Sequence, residues 1–289
     1  ETDYALSVSG FATDGFSSYG NNIPRITRFL KGPLEKDAAE KASFSARFGW
    51  QPQDLFRLDF GVIAMMNNNH YDFGYNYDSN GNYYTVYDDP FNRTRNRTIQ
   101  AWTKGSMELM DGQWRSSVKL YANRTDRFSA YVGDNLNYTF FGANARDYRG
   151  ERYGIDWQND VKLGSFGKLV IGTTTETETA YTTTQTLPRG SSILNVTGDA
   201  SQSTQSFYAM HQLPLGERLS VSWGGRLDHD DLNDFVTWRT TAAYSISESD
   251  TKLRASLGTG AKSPSLFQRF SLYGSCLLYT SPSPRDQRG

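Results

Sequence analysis

The sequence is poor in the residues that most enzymes and small secreted domains depend on. It holds one cysteine, three histidines and nine prolines in 289 residues. A single thiol excludes an intrachain disulfide framework. His70, His211 and His229 are scattered, and the one that sits among carboxylates, in LDHDDLND, has no zinc-ligand spacing and reads as a solvated acidic loop. No Ser/His/Asp or Cys/His arrangement stands out, and Gly258-Thr259-Gly260 lacks the helix that a phosphate loop needs, so no catalysis is expected. No apolar run approaches the roughly 18 residues of a membrane-spanning helix. The formal net charge of −1 offers no basic field for nucleic acid. The opening ETDYALSVSG has neither an initiating Met nor the basic and apolar regions of a leader, and is expected to be a cut inside a longer mature chain.

What the sequence has is aromatic weight and a rhythm of two. Aromatics make up 14% of the chain, with 18 Tyr, 17 Phe and 6 Trp, yet mean hydropathy is −0.63. Ala42, Phe44, Ala46, Phe48 and Trp50 alternate with Ser43, Ser45, Arg47 and Gly49. Phe56, Leu58, Phe60 and Val62 alternate with Arg57, Asp59 and Gly61, and Val118 and Leu120 with Lys119 and Ser117. The same pattern returns at 153–163, 219–228, 236–246 and 253–257, which predicts about eleven strands, each with one apolar and one polar face. The connections alternate as well. QPQD, MDGQ, LGSFG, LPLGE and SESD are tight turns, whereas 14–38, 66–95, 128–147 and 179–202 read as long loops, with a shorter one at 229–234. Short turns on one side and long loops on the other suit an antiparallel transmembrane β-barrel, with the apolar face in lipid and the polar face toward a lumen. Trp50, Phe56 and Trp114, level with the turns, suit an interfacial aromatic girdle. A porin- or adhesin-like barrel and a soluble, aromatic-rich carbohydrate-binding β domain remain open at this point.

Two stretches stand apart. In 66–95, Asn80-Gly81 supplies the positive φ of a hairpin turn. The flanking Tyr75, Tyr77, Tyr83 and Tyr84 make a candidate ligand-contacting surface, since Tyr offers broad area at low entropy cost. The same residues equally suit a solvated extension stiffened by cross-strand aromatic pairs. At the other end, CLLYTSPSPRD at 276–286 abandons the rhythm and matches, codon for codon, a common sequencing adapter. Residues 276–289, including Cys276, are therefore expected to be non-native, and 1–275 to be an internal piece of a barrel.

The stretch LRASLGTGAKSPSLFQRFSLYG, 253–274, resembles the mid-barrel motif of TonB-dependent outer-membrane receptors. Gly258, Gly260, Lys262, Pro264, Leu266, Tyr273 and Gly274 hold the motif's places, with Ser263 where Ala is usual. GGRLD at 224–228 and EKDAAEKASFSARFG at 35–49 agree, and WQNDVKLGSFGKLVIGTTTETET at 157–179 is similar to a hairpin of the vitamin B12 and siderophore branch. The resemblance implies a 22-stranded barrel in the outer membrane of a Gram-negative bacterium, filled by an N-terminal plug that this sequence lacks. Its partners would be outer-membrane lipid, TonB acting through the plug, and a scarce ligand such as cobalamin or a ferric siderophore. A chain holding half such a barrel would have two unpaired edges and is expected not to insert alone as a closed pore. In the vitamin B12 branch an acidic cluster of outer loops binds calcium. Glu35 and Asp37 stand in the matching places, although Pro33 replaces a Gln, and Asp126 and Asp134 would complete an oxygen cage.

Overall fold

The structure is a computed structural model that describes residues 1–16, 36–71, 76–77, 83–84, 92–133, 142–188, 194–246, 251–266 and 269. Eleven strands form one antiparallel sheet: β1 (Thr2–Thr13), β2 (Ala39–Gln53), β3 (Phe56–His70), β6 (Arg93–Leu109), β7 (Trp114–Gly133), β8 (Gly142–Lys162), β9 (Lys168–Pro188), β10 (Leu194–Leu215), β11 (Leu219–Asp230), β12 (Asp234–Ile246) and β13 (Thr251–Gly258). Each pairs with the next in that order, so the chain is a plain meander with β1 and β13 at its edges. Two short strands, β4 (Asn76–Tyr77) and β5 (Tyr83–Tyr84), pair apart from it in the connection between β3 and β6. Their register sets Asn76 opposite Tyr84 and Tyr77 opposite Tyr83, and the turn expected at Asn80-Gly81 lies outside the described residues.

The pairing register sorts the side chains into two faces, because residues directly opposite in an antiparallel ladder point the same way. Phe48, Phe60, Thr103, Leu120, Ile155 and Thr175 form one continuous outward row across six strands. The outward face carries exposed apolar bulk: Phe60 is 45% exposed, Leu120 48% and Trp223 43%. The inward face holds the buried polar residues Asp59, Ser106, Ser117, Thr184, Gln202, Ser206 and Asp230, whereas only Val170 and Leu266 are buried apolar residues among those described. A soluble sandwich hides its apolar face between two layers. Here one layer turns that face outward, which is the inside-out arrangement of a barrel wall in lipid. The outward apolar row on β6 runs from Ile99 to Leu109, and on β8 from Tyr153 to Val161, about ten residues each, the length of one tilted crossing.

The short turns fall at 54–55, 110–113, 163–167 and 216–218, as expected; 247–250 lies outside the described residues. At 110–113, Met110, Asp111 and Gly112 all have positive φ, which reverses the chain within four residues. Leu55, Met110, Phe166 and Leu215, all at least 48% exposed, ring the turn side of the wall, where apolar tips meet the membrane interface.

The other side corrects the sequence-based boundaries. Much of what reads as loop at 128–147 and 179–202 is strand: β7 runs on to Gly133, β8 begins at Gly142, β9 reaches Pro188 and β10 begins at Leu194. At 229–234 only Asp231–Asn233 separate two strands. Above the apolar belt both faces of the wall meet water, so the period-two contrast disappears while backbone pairing continues. Thr-rich stretches such as 182–184 keep extended geometry through β-branching rather than through a buried face.

Candidate transport path along the inner wall

The inward face is a network of charges that bridge strands. Near the short turns, Asp59 of β3 accepts from Arg47 of β2 (3.1 Å) and from Arg57 (2.9 Å), and Arg57 reaches on to Asp3 of β1 (2.6 Å). Further along, Arg152 of β8 pairs with Glu176 of β9 (2.7 Å), and Lys168 of β9 with Asp160 of β8 (2.6 Å). Arg226 of β11 pairs with Asp228 (2.7 Å) and donates to Ser206 of β10 (2.8 Å). The Arg47–Asp59, Arg57–Asp3, Arg152–Glu176 and Lys168–Asp160 pairs tie strands together, whereas Arg57–Asp59 and Arg226–Asp228 each lie within one strand, and all of them face the interior.

Glycines let long side chains lie along that surface. Gly154 of β8 sits opposite Tyr121 of β7, whose hydroxyl crosses over it to donate to Glu176 on β9, two strands away. Gly172 of β9 does the same for Tyr208 of β10, whose hydroxyl donates to Gln158 of β8 (3.2 Å). Trp102 of β6 lies over Gly61 of β3. A Cβ at any of the three would collide with the covering ring. The outcome is the packing of an aromatic ring onto a strand glycine. Lys119 adds a cation between two of these rings, its ammonium 5.7 Å from both the Trp102 and Tyr121 centroids.

The motif residues leave the sheet and fold back across it. Gly258 closes β13 opposite Arg239, and the Thr259 N–H donates to the Trp238 carbonyl (2.9 Å). Gly260 has open space around it, Lys262 is exposed and Pro264 half-buried, and Leu266 is buried. Ser263 and Arg269 anchor this strap to Gln202 of β10, at 3.3 and 2.8 Å. Beside them Asp230 accepts from the N–H groups of Leu232 (2.7 Å) and Asn233 (2.9 Å). Burial pushes the Asp230 carboxyl up, but the Ser263 hydroxyl, the two backbone N–H groups and the Arg269 charge together outweigh it and hold the group below the usual carboxylate range. Sequence reasoning missed Gln202 and Asp230 as anchors, because nothing local marks a contact between residues 61 apart.

The remaining candidates are placed as follows. Tyr77 and Tyr83 pair in the small β4–β5 sheet with Tyr84 beside them, while Tyr75 lies outside the described residues. Of the four calcium candidates, Glu35 and Asp134 also lie outside them. Asp37 precedes β2, and Asp126 stands on the outward face of β7 above the apolar belt. Asp126 accepts from Arg124 (2.8 Å) and Arg149 (3.0 Å), and those partners, Arg124 foremost, hold its carboxyl below the usual range. A carboxylate already claimed by two guanidiniums fits a calcium cage poorly, and among the described residues no three His, Cys, Asp or Glu side chains gather around one point.

One apolar face in lipid and one charged face inward, on eleven meandering strands, define roughly half the wall of an antiparallel transmembrane barrel. The model of the family described as "TonB dependent receptor-like, beta-barrel" matches residues 7–287. The chain belongs to that family. Its fold is similar to that of the ferric citrate transporter FecA in unliganded form, at TM-score 0.65 and 12% identity over 89% of this chain and 39% of that one. It is also similar to the RagAB peptide importer in the closed-closed state, at 0.64 and 12%, covering 91% and 35%. A third likeness is to the ferric yersiniabactin uptake receptor FyuA from Yersinia pestis, at 0.58 and 12%, covering 89% and 38%. The chain thus spans about two fifths, or less, of the length of these solved structures.

Proposed function

We propose that this chain forms about half the barrel of a TonB-dependent receptor in a Gram-negative outer membrane, importing a scarce, bulky nutrient such as a ferric siderophore or cobalamin. The observation that carries the proposal is the division of the wall, across the membrane belt, into an outward apolar face and an inward polar, charge-bearing face, in a chain that belongs to this family. The work is capture and gated passage, with no covalent step. The hairpin with Tyr77, Tyr83 and Tyr84 supplies contact area for cargo, and the charged wall holds the shape of the path. Ferric citrate transport and ferric yersiniabactin uptake are named for similar folds, which favours an iron chelate over cobalamin. Peptide import is named for another. Calcium at the outer loops, with Asp37 among its ligands, belongs to the same proposal.

The test is uptake by cells expressing the complete receptor that contains this chain, in hosts with and without TonB. Labelled ferric siderophores, cobalamin and short peptides are supplied at nanomolar concentration. Accumulation of one cargo that vanishes without TonB supports the proposal. A size-limited leak of all three that ignores TonB would make the barrel a porin and overturn it.

A further inference from the structure

On the inward face of β10 and β11, toward the loop side, two buried polar residues hold the strap that follows β13. Asp230 closes β11 opposite Thr204, two residues from Gln202 on the same face of β10. Gln202 clasps the strap at two points. Its Nε2 donates to the Ser263 Oγ (3.3 Å), and its Oε1 accepts from the Arg269 Nη1 (2.8 Å). The Arg269 N–H in turn donates to the Ser265 carbonyl (3.0 Å), and Leu266 is buried. At its start the strap is tied to β12, where the Trp238 N–H donates to the Thr259 Oγ1 (3.0 Å) and the Thr259 N–H to the Trp238 carbonyl (2.9 Å).

Asp230 is the second clasp. Its carboxylate caps the turn through the Leu232 and Asn233 N–H groups and is stabilised as well by the Ser263 hydroxyl and the Arg269 charge. The turn it caps is tied down on both sides: Asp231 accepts from the Ser203 N–H of β10 (3.1 Å), and His229 and Asp234 pair across its base (2.6 Å). Burial of Leu266 alone would let the strap slide, because apolar contact has no direction. A side-chain amide that donates at residue 263 and accepts at residue 269 admits one placement. Sliding the strap along the wall would strand a buried amide and a buried carboxylate, and a stranded group costs its full desolvation. The strap is therefore fixed in height on the inner face, where it fills space that the bare wall would leave to a solute.

We propose that Gln202 and Asp230 are positioning residues for a fixed inner rim, formed by residues 259–266 and 269, that sets the greatest width of solute the loop-side mouth admits. The rim selects by shape: whatever passes the mouth must clear the strap, and the two clasps keep the strap from giving way. The inference rests on the transport function proposed above and adds to it the element that discriminates by width.

The test uses the complete receptor that contains this chain, in intact cells, with Thr204→Cys as an inward thiol opposite Asp230. Two maleimides of one chemistry, one bare and one carrying a bulky rigid cage, are added outside and their rates compared. With both clasps intact the wide reagent is expected to react far more slowly than the narrow one. Gln202→Leu removes the clasp at residues 263 and 269 and leaves the Asp230 turn cap in place. It is expected to raise the wide-to-narrow rate ratio about ten-fold, the weight of one lost hydrogen bond to a charged group. Adding Asp230→Leu is expected to raise the ratio further. Gln202→Glu keeps the acceptor for Arg269 and is expected to stay near the starting ratio. A nitroxide at Lys262→Cys, exposed on the strap, reads the same variants a second way: slow motion with the clasps intact and in Gln202→Glu, fast motion in Gln202→Leu. Heat-modifiable migration checks that each variant is folded. An unchanged rate ratio in both leucine variants would overturn the rim, as would a label that moves as freely before the substitutions as after them. Neither readout needs a cargo. A receptor that keeps its rim but takes up nothing through TonB loses the function proposed above, whereas one that imports normally and fails these tests loses only the rim.

Discussion

Val118 and Lys119 are adjacent in β7 and stand in different solvents. Val118 points outward, 40% exposed, between Gly105 and Trp157 in the apolar belt. Lys119 points inward, between the Trp102 and Tyr121 rings, beside Asp156 of the next strand. The two faces are therefore specified by different physics. The outer one excludes charge and tolerates almost any apolar shape, because lipid conforms to it. The inner one accepts charge freely but is fitted, because side chains such as Trp102, Tyr121, Tyr208, Arg57 and Arg152 lie against particular glycines or carboxylates.

That contrast can be tested by substitutions in the complete receptor, with stability read from urea titrations in lipid vesicles. Val118→Arg has the largest expected effect, about 2–4 kcal/mol, since it places a guanidinium near the middle of the belt. Gly154→Val comes next. It fills the space that Tyr121 crosses and breaks the Tyr121–Glu176 hydrogen bond, for an overpacking cost of about 1–3 kcal/mol. Tyr121→Ala in the same background should recover part of that loss; no recovery would mean that the ring is not what the glycine accommodates.

Asp230→Ala should cost about 1 kcal/mol near neutral pH, the scale of one net hydrogen bond. Its dependence on pH follows from the lowered carboxyl. A depressed folded-state pKa contributes stability above the unfolded value, roughly 3.9, that is lost as pH falls through the folded value. The difference between wild type and variant should shrink as pH drops below about 4. A gap that widens in acid would show that the carboxyl is raised instead. The smallest effect belongs to Lys119→Gln, about 0.5–1 kcal/mol from the two ring contacts. If it matched Val118→Arg, the assignment of faces would be reversed.

Both faces were legible in the sequence wherever lipid enforces the alternation. Phe44–Phe48, Leu58–Val62 and Leu219–Leu227 could be read directly, as could the tight turns that separate such runs. The upper halves of β7 to β10 could not. Ser203 and Thr177 are outward and Gln202 and Thr204 inward, yet all are polar, so water on both sides erases the signal on which the boundaries depend. The mid-barrel motif was legible only through resemblance, and what it does locally was not. Ser263 meets Gln202, and Leu266 is buried, through folding back rather than through any pattern in 253–274. Likewise Asp126, an oxygen donor by composition, becomes an arginine acceptor because register brings Arg149 opposite it on β8.

Under the transport function proposed above, the rings that lie across Gly61, Gly154 and Gly172 bear on whatever moves past them. Turned sideways, Trp102, Tyr121 and Tyr208 lie along the wall and add little to its thickness. The two tyrosine hydroxyls are already engaged by Glu176 and Gln158 and have less capacity to grip a passing solute. Conduction needs contacts weak enough to release what they touch, and a lining whose hydrogen-bonding groups satisfy one another offers little to hold.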